Sequence, residues 1–67
     1  MIKKIVILEG QFEEENGLKR FIEVGSKFEG KVIDKIEQMA GNSFKLIGVD
    51  GKHLGVVNVQ NYYLIYF

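Results

Sequence analysis

An all-β fold is predicted for this chain of 67 residues from three observations. Eight glycines, at 10, 17, 25, 30, 41, 48, 51 and 55, and no proline cut the chain into pieces too short for a large helical bundle. Frequent turns between short elements are the pattern of a small β-fold. The pieces at either end, IKKIVIL at 2–8 and YYLIYF at 62–67, are rich in β-branched and aromatic residues, which suit a pleated, half-buried surface. Asp50-Gly51 between two apolar runs is the strongest short hairpin signal in the chain.

Residues 2–8 give a first strand, buried in its second half. EGQFEEENG at 9–17 is acidic and polar with one aromatic, Phe12, and reads as a loop. Its three successive carboxylates, Glu13, Glu14 and Glu15, most simply form a solvated stretch. Residues 18–24 alternate loosely and give a short strand. Residues 44–49 are a strand, 52–59 return as its partner, and Gln60-Asn61 makes a tight bend or a single helical turn. In the final strand, 62–67, side chains alternate between faces. Tyr62, Leu64 and Tyr66 share one face, and Tyr63, Ile65 and Phe67 the other. Both faces are apolar, so one of them is expected to be exposed or covered by a partner. The length fits one domain, residues 1–67, with no repeat or linker.

Composition narrows the function classes. Hydrophobic residues make up 46% and charged residues 27% of the chain, which places it among folded rather than disordered sequences. There is no cysteine, so neither a disulfide nor a thiolate metal site is available. Small secreted domains commonly carry disulfides. Their absence, with no signal-peptide pattern and no long apolar run, predicts a cytoplasmic protein without membrane attachment. Nine basic and nine acidic residues leave a formal net charge of zero. That argues against the basic footprint of a strong nucleic-acid binder, and it weakens the repulsion that opposes self-association.

Residues 26–40 admit two conformations. Ser26 and Glu29 fit a helix capping box. Phe28, Val32, Ile33, Ile36, Met39 and Ala40 then fall on one helical stripe, closed by Gly41-Asn42. The outcome would be an α+β fold with helix 26–40 packed on an antiparallel sheet. Against it, Gly30 in the first turn costs up to about 1 kcal/mol relative to Ala, and Val32, Ile33 and Ile36 favour a strand. The strand reading puts Asp34 in line with Val32 and Ile36, which a bulge or a strong bend would repair.

The spacing V-G-x-x-x-x-G-x-V-x-x-x-I, carried by Val24, Gly25, Gly30, Val32 and Ile36, resembles the opening of many small β-barrels and decides for the strand. Across the whole chain the pattern resembles a Src-homology-3-like barrel of five to six strands. Residues 5–8 are similar to its first strand, 9–17 to its RT loop, and FIEVGSKFEG at 21–30 to its diverging turn. Residues 32–39 are similar to its second long strand, 40–43 to its n-Src loop, and 44–49 with 54–59 to its distal hairpin. GVVNVQNYYLIYF is similar to its G-x-F-P-S-N-Y-V ending, with Asn61 and Tyr62 in place of its Asn and Tyr. The chain departs from the family in having no tryptophan, no proline at Val59 and no ALYDY motif, so stacking of polyproline ligands is not implied. Over 23–59 there is also a likeness to the oligonucleotide-binding fold of the ribosomal S-one RNA-binding type.

No catalytic signature stands out, so no enzymatic activity and no cofactor are expected. His53 is the only histidine and follows the hairpin signal, where an exposed turn residue is the simplest role. Glu13, Glu14 and Glu15 lack the alternate ligand spacing of a calcium loop. No metal site is expected. The function expected first is a non-enzymatic protein-interaction module, of a size that fits a bacterial or phage accessory or inhibitory protein. Its partner surface would combine Phe12, Glu13, Glu14 and Glu15 with Asn61, Tyr62 and Tyr66, since tyrosine is enriched at interface hot spots. A partner protein with basic residues beside an apolar anchor would complement it. The alternative is a single-stranded nucleic-acid binder using Lys31, Lys35, Phe44, Lys45 and Lys52. A third expectation is a structural subunit forming a homo-oligomer through the C-terminal strand.

Overall fold

The β-branched runs of the sequence become strands. In the computed structural model, residues 1–8 and 20–67 are described, and they contain strands and turns but no helix. The strands are β1 (Ile2–Ile7), β2 (Arg20–Glu23), β3 (Lys27–Phe28), β4 (Lys31–Gln38), β5 (Ser43–Gly48), β6 (His53–Asn58) and β7 (Tyr62–Tyr66). All pairings are antiparallel. One sheet has the order β2-β1-β7, and the other, which curls into a half-barrel, has the order β3-β4-β5-β6. The all-β class is as expected. The count of seven strands exceeds five to six because a two-residue strand, β3, forms within 21–30. The loop expected at 9–17 lies outside the described residues.

Residues 26–40 are not helical, which overturns the α+β alternative. Phe28 and Lys31 face each other across a two-residue connection, Glu29-Gly30. Both of these residues have positive φ, 52° and 85°, the signature of a type I′ hairpin turn. A helix cannot start through that conformation. Ser26 is not a cap either: its hydroxyl donates to the Glu23 carbonyl oxygen at 2.6 Å, closing the turn that leads out of β2. Of the two repairs open to the strand reading, a bulge is present, with the β4–β5 register shifting between Ile33 and Lys35 around Asp34.

A left-handed backbone suits Asn better than Glu, because the short Asn side chain can hydrogen-bond the local backbone and offset the Cβ–carbonyl crowding. Replacing Glu29 by Asn is therefore expected to raise stability by about 0.5–1 kcal/mol, seen as a higher urea midpoint at unchanged slope.

The second hairpin differs in detail from its sequence signal. Asp50 is not in the left-handed region; only Gly51 is, at φ 84°. The Gly51 N–H donates to the Gly48 carbonyl oxygen, and the Gly48 N–H donates to that of Lys52. The loop is thus three residues long, a turn closed by a left-handed glycine. The Asp50 carboxylate accepts from the Lys52 N–H at 3.0 Å, which explains the acid at this position.

The core lies between the two sheets. Ile2, Ile5, Ile33, Ile36, Phe44, Leu46 and Val59 are buried together. β5 shows the alternation most plainly: Phe44, Leu46 and Gly48 point in, while Ser43, Lys45 and Ile47 are partly exposed. The Phe28 ring closes the curl by lying over Gly55. A methyl group added there would come within 3.3 Å of it, so β3 and β6, the two edges of the four-stranded sheet, meet through one ring and one absent side chain.

Candidate functional site

The two sheets approach unequally. On one side β1 lies against β4, and the Gln38 amide donates to the Tyr62 hydroxyl at 3.4 Å. On the other side, among the described residues, β2 pairs only with β1, and β6 only with β5. Between these two edge strands opens a groove of about 510 Å³. Its apolar walls are Ile7, Ile22, Phe28, Val57 and Val59. Its rim carries Arg20, Asn58, Gln60 and Asn61. Ser43 and Asn58 are hydrogen-bonded through their side chains, which fixes one part of that rim.

A second surface is the outer face of the three-stranded sheet. Phe21, Val6 and Tyr63 form one cross-strand row there, and Glu23, Lys4 and Ile65 the next. Val6 is buried although it points away from the core, because an aromatic side chain flanks it on either strand. The Lys4 ammonium sits 4.6 Å from the centre of the Phe21 ring and 3.8 Å from the Glu23 carboxylate. The Lys4 cation is thereby matched on a face that is otherwise largely apolar around Phe21, Val6, Tyr63 and Ile65.

The described members of the expected partner surface, Asn61, Tyr62 and Tyr66, do not converge. Phe12, Glu13, Glu14 and Glu15 lie outside the described residues. Asn61 is on the groove rim. Tyr62 points inward and stacks edge-on against Phe44, with ring centres 5.1 Å apart and planes at 87°. Tyr66 is exposed beside Ile2, at the other end of β7, roughly 17 Å along the strand from Asn61. Of the two alternating sets on β7, Tyr62 and Leu64 pack on the core, while Tyr63, Ile65 and Phe67 stay exposed.

The expected nucleic-acid residues are dispersed as well. Phe44 has no exposed surface, so its ring is not a stacking platform. Lys45 stands between Glu37 and Val56 on the outer face of the four-stranded sheet. Lys35 is one row further along, beside Ile47 and His53. Lys31 sits at the β3–β4 turn and Lys52 in the β5–β6 loop. Among the described residues no three His, Asp or Glu side chains gather as a metal site would require, and no helix is long and apolar enough to cross a membrane.

The groove residues Ile22, Phe28 and Val57 were not singled out by sequence. They come from β2 in one sheet and from β3 and β6, the two edges of the other, and each reads locally as ordinary core. No family model, curated protein or solved structure matches the chain.

Proposed function

We propose that the chain is a small β-barrel protein-interaction module that takes an extended, apolar segment of another protein into the groove between β2 and β6. The observation that carries this is the groove itself: an apolar trough whose sides belong to two strands with unpaired edges. An extended segment there satisfies edge N–H and C=O groups while its alternate side chains enter the trough. The amides of Asn58, Gln60 and Asn61 supply uncharged donors and acceptors at the rim. Leu8 and Arg20, both at the groove, bracket a stretch with Glu9, Glu13, Glu14 and Glu15 against a single Lys19. A basic residue beside the apolar ones is therefore expected in the partner.

The Src-homology-3-like form is part of this proposal. Supporting it are the pairing of β1 with β7, the long connection from β1 to β2, the tight turn before β4 and the β5–β6 hairpin. The oligonucleotide-binding likeness over 23–59 leaves out β1 and β7, which pair with each other here.

Selection from a displayed library of random linear peptides tests the reading. Enriched peptides are expected to alternate apolar residues and to carry Lys or Arg. Titrated into the labelled protein, they should shift the amides of Ile22, Phe28, Val57 and Asn61. Failure to enrich any peptide, or shifts confined to other surfaces, would remove the groove as the site. Binding of oligothymidine that collapses with salt, in place of peptide, would favour the nucleic-acid alternative.

A further inference from the structure

Among the described residues four strands end a sheet: β2, β3, β6 and β7. Exposed edges invite pairing, and proteins blunt them with charge, brevity or irregularity. β2 carries Arg20 and Glu23 at its ends. β3 is two residues long and includes Lys27. β6 slips register opposite Leu46 and Ile47. β7 has none of these devices. Its sequence, YYLIY, is uncharged, and the irregularity in its pairing with β1 lies on β1, around Lys3.

The backbone groups on its free side can be named. The Leu8 N–H donates to the Asn61 carbonyl oxygen at 2.8 Å, and the Phe67 N–H to that of Met1 at 3.0 Å. In an antiparallel pair, alternate residues direct N–H and C=O to opposite edges. With Ile7 opposite Tyr62, Ile5 opposite Leu64 and Ile2 opposite Tyr66, Tyr63 and Ile65 bond toward β1. Tyr62, Leu64 and Tyr66 therefore direct theirs outward, where no described residue meets them.

We propose that β7 pairs antiparallel with β7 of a second copy about a twofold axis at Leu64, joining the two β2-β1-β7 sheets into one. The register follows from the geometry. An axis at Leu64 sets Leu64 against itself and Tyr62 against Tyr66 of the second copy, so every outward group on the edge is engaged. A shift by two residues in either direction strands Tyr62 or Tyr66. The same register places Tyr63 opposite Ile65 of the second copy on the outer face, an aromatic and β-branched pair of the kind that stabilises neighbouring strands.

A second copy fits this edge for three reasons. The formal net charge is zero, so long-range repulsion does not oppose it. Lys4, which lies opposite Ile65 on the neighbouring strand, is held by Glu23 and the Phe21 ring. The pairing is self-complementary and closes, since it consumes the free edge of β7 in both chains. It does not depend on the groove.

Sedimentation equilibrium and amide hydrogen exchange on the unaltered chain, across about 10 µM to about 1 mM, test this directly. The mass should rise from one chain to two. Protection should appear with concentration at the Tyr62, Leu64 and Tyr66 amides, while Tyr63 and Ile65 stay protected throughout. A constant monomer mass, growth beyond two chains, or doubling without that alternation would overturn the proposal. Charge substitution checks the register. Tyr63→Lys with Ile65→Lys sets like charges opposite each other and should raise the dissociation constant at least about tenfold. Tyr63→Lys with Ile65→Glu should restore pairing in a salt-sensitive form. Equal behaviour of the two double variants would reject the register.

Discussion

Phe44→Ala is expected to leave most of the chain unfolded at 25 °C. The Phe44 side chain has no solvent exposure and sits in the cluster that joins both sheets. Truncating a buried Phe to Ala costs about 3–5 kcal/mol, part in lost transfer energy and part in the cavity left behind. A domain of 67 residues has roughly 3–10 kcal/mol of stability in total. The loss is therefore comparable to the whole, and no disulfide limits it. Phe44→Leu keeps most of the volume and should cost about 1–2 kcal/mol. Urea unfolding followed by tyrosine fluorescence separates the two. A Phe44→Ala chain with a cooperative transition near that of the unaltered protein would mean that the inner sheet face is not packed as described. The same variant cannot probe nucleic-acid stacking, since any lost binding would report unfolding.

The placement of Phe44 was legible in the sequence, and the expected nucleic-acid set missed it. Phe44 and Lys45 are consecutive on a strand, so their side chains lie on opposite faces and cannot build one surface. The pattern of Phe44, Leu46 and Gly48 against Ser43, Lys45 and Ile47 already marked the buried side. Residues 26–40 were less decidable, because Val32, Ile33 and Ile36 fit a helical stripe and a bulged strand equally well. What separates the two is non-local: β4 is held between β3 and β5, and Glu29 adopts a conformation that side-chain type does not favour. Asp50-Gly51 announced its hairpin, while the loop length depended on which residue took the left-handed position. The groove could not be read from sequence, since its walls come from strands that become neighbours only when the sheets face each other.

Tyr62 is where the expected partner surface and the core compete for one side chain, and substitution there should separate them. Tyr62→Ala removes the edge-on contact with Phe44 and opens the core beside Leu64. The side chain is half-buried, so a cost of about 2–4 kcal/mol is expected, below that of a fully buried ring but including the aromatic pair energy. Tyr62→Phe keeps the ring and loses only a hydroxyl whose one hydrogen bond is long, 3.4 Å, and exposed. It should change stability by less than about 0.5 kcal/mol. Thermal unfolding of the two variants should thus differ by roughly 6–30 °C, given about 4–8 °C per kcal/mol in a domain of this size. If both unfold together, the Phe44–Tyr62 contact is not part of the core. Tyr62→Phe, being folded, is also the variant for partner binding. Affinity lost in that variant assigns the hydroxyl to an interface, because the core is intact. Affinity retained assigns Tyr62 to the core alone and leaves recognition to the groove rim at Asn58, Gln60 and Asn61, whose side chains can be removed without opening the space between the sheets.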